Sequence, residues 1–229
     1  MSTATLPPPA APQPTPPAFD TVADVLHSLG DIPPERVLWN PYPGTATEDD
    51  AVRLVYGDAK RLVELIDGTL VEKAMSHYAA RVGGIVFLTI ENFLETNDLG
   101  YCYPADALLR ILPRQVRLPD VSFISWAKLP DRELPAESIA GLIPDLAVEV
   151  LSPGNTRREM ERKRRDYFAG GVRLVWQIDP DAKTAEVYTA PDTFAAVPAD
   201  GTLDGADVLP GFTLSLAKLF ERAGKQRGS

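Results

Sequence analysis

An α/β or α+β single domain with a mixed sheet is the fold class this sequence predicts, and three observations predict it. Asp67-Gly68 stands between two short runs of β-formers, RLVELI and TLVEKA, which is the signature of a tight hairpin. Stretches with helical spacing, 76–97 and 156–169, alternate with short β runs, the pattern of layered helices and strands. Finally, LAVEVL (146–151), the charged helix after it and VRLVWQID (172–179) form a strand–helix–strand unit. Such a unit is expected to be a right-handed parallel crossover. At 229 residues, 45% of them hydrophobic, the chain can bury a sizeable core without staples.

The elements follow in order. Seven of the 22 prolines fall within the first 17 residues. Proline has a fixed φ and no N–H, so 1–19 reads as an extended, solvated tail. It has neither the basic start nor the apolar run of a signal peptide, and no apolar stretch is long enough to span a bilayer. A cytoplasmic protein without membrane contact is expected. Residues 20–60 read as a helical and irregular wrap. Val22, Val25, Leu26 and Leu29 have helical spacing, with Asp20 as N-cap and Gly30 as stop. Four prolines break up 32–44, and Thr47-Glu48-Asp49-Asp50 starts a second helix that runs to about Tyr56.

Residues 61–223 form the main domain. After the hairpin, Ser76 caps a long helix whose apolar positions are Ala79, Val82, Val86, Ile90 and Phe93-Leu94. Short strands follow in YCYP, ALLRIL, QVRL and DVSFIS, then a Pro-punctuated connection over 127–144. LAVEVL reads as a strand buried on both faces. The helix from Thr156 to Ala169 stops at Gly170-Gly171. VRLVWQID and TAEVYTA are two further strands, and the stretch from Leu209 to Ala223 ends in a short helix.

Composition narrows the chemistry. A single cysteine, Cys102, excludes a disulfide framework and a Cys-based zinc site. Two histidines, His27 and His77, exclude a His-rich cluster. A catalytic metal would therefore rest on carboxylates, which suit a hard ion such as Mg²⁺. There is no Gly-rich phosphate loop and no Gly-x-Ser-x-Gly elbow. The net charge of −9 argues against a bulk polyanion binder but leaves room for a local basic patch.

Several residues stand out. Glu149 lies between Val148 and Val150 in a buried strand, where an ionised carboxylate needs an ion pair, hydrogen bonds or a metal. Asp120 follows Pro119 at the start of a strand, where it either satisfies a turn or joins Glu149 in holding one cation. Residues 157–166 carry six Lys/Arg and three Asp/Glu, mostly a solvated face. Met160, Lys163 and Tyr167 nevertheless share the face that would pack on the sheet. Lys163 could thus reach a phosphate oxygen and stabilise developing negative charge. Glu64, among Val63, Leu65 and Ile66, is a further acidic candidate. His77, at the head of the long helix, is either a cap or a group lining the site. Cys102 reads as a small core residue and Asp106 as a turn residue.

The run ELIDGTLVEK, the helix beginning SHYA, VRLPDVSFIS, and PDLAVEVLSPGNTRREMERKRRDYFAGGVRLVWQIDP together resemble the Uma-two family. These are restriction-endonuclease-like proteins of the PD-(D/E)xK nuclease superfamily, and the resemblance covers roughly residues 50–220. It implies a restriction-endonuclease-like mixed β-sheet flanked by helices. By this resemblance Asp120 matches the Asp of the PD motif, and Glu149 matches the acid of the second half-motif. That half-motif expects Lys two positions later, where this chain has Leu151. Lys163 on the following helix takes the lysine's place, and Glu64 resembles an additional upstream acid.

The activity implied is a Mg²⁺-dependent endonuclease, with Mn²⁺ as the alternative ion, hydrolysing DNA phosphodiester bonds with a metal-activated water. Asp120, Glu149 and Glu64 would be the metal ligands. Backbone contacts would come from Arg157, Arg158 and Arg162, with a homodimer for duplex cutting. The alternative is a catalytically inactive nuclease-fold module with a binding or regulatory role.

Overall fold

A computed structural model describes residues 19–139 and 141–224. The Pro-rich tail expected over 1–19 thus lies outside the described residues, apart from Phe19. Among the described residues no helix is long and apolar enough to cross a membrane.

Helix α1 (Val22–Ser28) is capped by Thr21, one residue later than expected, through a reciprocal box with Asp24. A short turn at Pro34–Arg36 leads to α2 (Glu48–Tyr56), capped by Thr47 in the same way with Asp50. The hairpin is β1 (Val63–Ile66) and β2 (Thr69–Glu72). Asp67 and Gly68 both have positive φ, the conformation that an Asp-Gly turn favours. Helix α3 (His77–Leu94) follows, capped by Ser76. Strands β3 (Gly100–Pro104), β4 (Leu109–Leu112), β5 (Gln115–Arg117), β6 (Val121–Ser125) and β7 (Leu146–Val150) come next. Then come α4 (Arg157–Gly170), β8 (Leu174–Asp179) and β9 (Thr184–Ala190). The chain ends in β10 (Thr193–Val197), β11 (Thr202–Asp204), β12 (Thr213–Ser215) and α5 (Leu216–Ala223).

The strands divide between a four-stranded sheet, β2-β1-β5-β4, and a six-stranded sheet, β10-β9-β8-β7-β6-β3, with β11 and β12 as a separate ribbon. The six-stranded sheet is the mixed one. Its β7 and β8 run parallel around α4, as the strand–helix–strand pattern predicts, and its other pairs are antiparallel. The single sheet expected from sequence is therefore two. The partition rests on pairings between distant segments, which local pattern does not encode. Leu118 and Pro119 carry the chain from β5 in one sheet to β6 in the other.

Packing follows from alternation. Val121, Phe123, Val148, Val150, Trp176 and Ile178 meet α3 and α5 on one face of the six-stranded sheet. Ala147 and Val175 on its other face meet Tyr167 of α4 with Leu109 and Ile111 of β4. Helix α2 covers the smaller sheet through Ala51 and Val55, against Val63, Leu65 and Val116.

The N-terminal segment braces the start of α4. Arg36 donates to both oxygens of Glu159, at 2.9 and 2.6 Å, and to Gly154 O at 2.9 Å. Gly30 has φ +91°, and a Cβ there would lie 2.5 Å from the Glu159 backbone nitrogen. Gly30→Ala is therefore expected to destabilise the fold by more than about 1 kcal/mol. Urea denaturation of the purified variant checks this, and an unchanged midpoint would contradict the contact.

Candidate active site

The β6–β7 ladder ends at the pairing of Val121 with Val148, with Asp120 just before β6 and Glu149 the next residue of β7. Asp120 is fixed further by its own backbone, since its N–H donates to Val148 O at 3.0 Å. Its Oδ2 accepts from the Val150 N–H at 2.7 Å. Helix α3 passes close by: a Cβ on Gly83 would touch the Asp120 Cβ at 3.5 Å.

The inner face of α4 supplies the positive charge. Lys163 Nζ donates to Glu149 Oε2 at 2.9 Å and lies 2.8 Å from Glu64 Oε1. Tyr167, one turn on, donates its hydroxyl to Glu149 Oε1 at 2.5 Å. Glu64 reaches over from β1. Its Oε2 accepts from Arg117 at 2.9 Å, and its Oε1 accepts the Leu118 N–H at 3.0 Å. Arg117 also pairs with Asp166 of α4. The centre thus sits where the two sheets and α4 meet.

These contacts separate the two glutamates electrostatically. Burial alone would raise the Glu64 carboxyl, but Lys163 and Arg117 outweigh it and hold the group well below the ordinary carboxylate range. Burial pushes the Glu149 carboxyl up, and repulsion from Asp120 and Glu64 adds to this, against the pull of Lys163 and Lys73. For Lys163 burial favours the neutral amine, yet Glu149 and Glu64 prevail and keep it protonated above the usual lysine range. A depressed carboxylate contributes stability that is present above its ordinary value near 4.5 and lost as pH falls through it. The wild-type urea midpoint is therefore expected to fall more steeply from pH 6 to pH 3 than that of Glu64→Gln. Parallel slopes would show that Glu64 is not held ionised.

Lys73 has no part in the sequence expectation. It stands just past the end of β2, 2.8 Å from Asp120 Oδ1, and donates to Leu118 O at 2.5 Å. In sequence it is one charged residue after a strand, and only the meeting of the two sheets brings it to Asp120. His77 is exposed at the first residue of α3. Two of the three arginines expected to face DNA are paired with acids of the N-terminal segment and the hairpin, Arg158 on the surface and Arg162 partly buried. Arg158 pairs with Asp31, and Arg162 pairs with Asp67 and Ser28 O. Arg157 is exposed beside Glu161. Cys102 is a buried thiol pushed above its usual range by burial.

The donor set suits a hard cation, since Asp120 and Glu149 offer carboxylate oxygens from adjacent strands. Among the described residues no three His, Cys, Asp or Glu side chains converge on a common point. Glu64 is turned to Lys163 and Arg117 instead of completing a triad of ligands. Two carboxylates remain sufficient for Mg²⁺, which keeps several waters and takes phosphate oxygens.

The mixed sheet between helices, with carboxylates at the end of the β6–β7 ladder and a lysine from the crossover helix, is a nuclease-like fold. The solved structure of a putative nuclease belonging to DUF820, from Anabaena variabilis, is similar to it with a TM-score of 0.63 and 20% sequence identity. The likeness covers 70% of this chain and 90% of that one, and at this identity it establishes the fold alone. The chain belongs to the Uma2 family, described as "Putative restriction endonuclease", which matches residues 52–217. No curated protein matches it.

Proposed function

We propose that this protein is a Mg²⁺-dependent endodeoxyribonuclease, with Mn²⁺ as an alternative ion. The observation that carries this reading is that Asp120 is hydrogen-bonded to the backbone on either side of Glu149, at Val148 and Val150, with Lys163 fixed on Glu149. Asp120 and Glu149 would hold the ion. When bound, the ion supplies a water of lowered pKa and charge neutralisation at the phosphate. Lys163 is protonated and enclosed, so it contributes a fixed positive charge and takes up no proton. Glu64 and Arg117 hold Lys163 in place, and Tyr167 orients Glu149 through its hydroxyl. DNA is the proposed partner. Cutting opposite strands of a duplex would call for a homodimer, and the cytoplasm is the proposed location.

The test is incubation of the purified chain with plasmid and single-stranded circular DNA in Mg²⁺, Mn²⁺ or EDTA. Cutting that requires the ion is the expected result. No cutting, with a melting temperature indifferent to Mg²⁺, would overturn it. That outcome favours a second reading, a nuclease-fold module with a binding or regulatory role. Its support is that Lys73 and Lys163 already neutralise the two acids, in a chain of net charge −9.

A further inference from the structure

Access to the centre is narrow. Exposure is 4% for the Glu149 side chain, 5% for Lys163 and 15% for Asp120. Asp120 and Lys73 line one end of a cavity of about 180 Å³ between the first half of α3 and the Pro104-Ala105 turn. Its remaining wall is mostly apolar, formed by Leu62, Ala79, Gly83, Gly84 and Phe87 among others. A lysine ammonium carries three donors. Asp120 and Leu118 O engage two of those of Lys73, which leaves one for a ligand oxygen.

A cavity of this volume, with an ammonium and an apolar wall beside it, has room for the base of one nucleotide. The base meets the wall, and its phosphate meets Lys73. A paired, stacked base cannot offer its face to such a wall, so the nucleotide must be unpaired or turned out of the duplex. The protein surface agrees with this. Duplex tracking relies on rows of Lys and Arg, whereas Arg158 is paired with Asp31 on the surface and Arg162 with Asp67. Contact with base faces tolerates any sequence.

We infer that this cavity binds the nucleotide next to the scissile phosphate in an unpaired state, so that the substrate class is single-stranded or locally unpaired DNA. The inference rests on the nuclease reading for its cutting step but not for its binding step. Two measurements therefore separate them: strand binding by fluorescence anisotropy in EDTA, and cutting in Mg²⁺. The probes are a labelled single strand, its blunt duplex, and the same duplex with one bulged nucleotide.

Gly84→Leu is the deciding variant. A Cβ at Gly84 meets nothing within 4 Å, and leucine favours a helix over glycine, so the variant should fold while its side chain fills the cavity. Lys73→Met is the second variant. The wild-type chain is expected to bind and cut the single strand and the bulge about tenfold or more better than the blunt duplex. Gly84→Leu should lose that preference at a melting temperature no lower than that of wild type. Lys73→Met should weaken single-strand binding and flatten its salt dependence. Equal binding of all three probes, or single-strand binding untouched by Gly84→Leu, would overturn the inference even if plasmid is cut. A change of oligomeric state in Gly84→Leu with strand binding intact would overturn it too, by making the cavity a contact between copies. Strand binding lost in Gly84→Leu supports it, even if no probe is cut and the nuclease reading fails.

Discussion

Glu149→Gln is expected to reduce metal-dependent cutting by roughly a hundredfold or more, with the fold intact. The exchange keeps size and shape and still offers an acceptor to Tyr167 or Lys163. Lys163 keeps its other partner, Glu64, at 2.8 Å, so no ammonium is left alone in the core. Burial already pushes the Glu149 carboxyl towards its neutral form, and a neutral amide there costs little. What disappears is one of the two negative charges that would hold the ion. Asp120→Asn removes the other and should behave alike. Plasmid nicking in Mg²⁺, read beside thermal melting, gives both quantities. Wild-type cutting by the folded Glu149→Gln variant would remove this carboxylate from the proposed chemistry.

The largest effect on stability should come from Lys163→Met. Methionine fills much of the same volume, but Glu64 and Glu149 would then face each other in the core without the charge between them. Breaking a buried pair in this way costs about 3–5 kcal/mol. At about 2–4 °C per kcal/mol for a chain of this size, the melting temperature should fall by roughly 6–20 °C. Adding Glu149→Gln removes one stranded charge and should recover part of the loss, as a double-mutant cycle would show. A Lys163→Met variant as stable as wild type would mean that the ammonium is not what compensates the two acids.

Much of this arrangement was legible in the chain. The hairpin follows from Asp67-Gly68, which supplies two positive-φ positions between β-formers. Helix α4 follows from a periodic inner face and ends at Gly171, which is left-handed at φ 101°. Glu149 stood out because its neighbours in the strand are apolar, and Lys163 because it shares a face with Met160 and Tyr167. Strand β10 was not legible: TFAAV is almost wholly exposed on a sheet edge and carries little alternation. The division into two sheets was hidden as well, because it depends on which distant strands find each other. Lys73 escaped for that reason, since its partner Asp120 lies in the other half of the architecture. The pairing of Arg158 and Arg162 was equally invisible, because their partners lie on α1's following turn and the hairpin.

The brace at the head of α4 bears on how the protein is handled at the bench. Gly30, Asp31 and Arg36 all precede residue 52, where the family match begins, and its end at 217 falls inside α5. A fragment trimmed to the matched stretch would discard the struts that set the pitch of the helix bearing Lys163 and would sever the last helix after two residues. Chemistry assayed on such a fragment would belong to a slackened centre, so the intact polypeptide is the unit in which turnover has meaning.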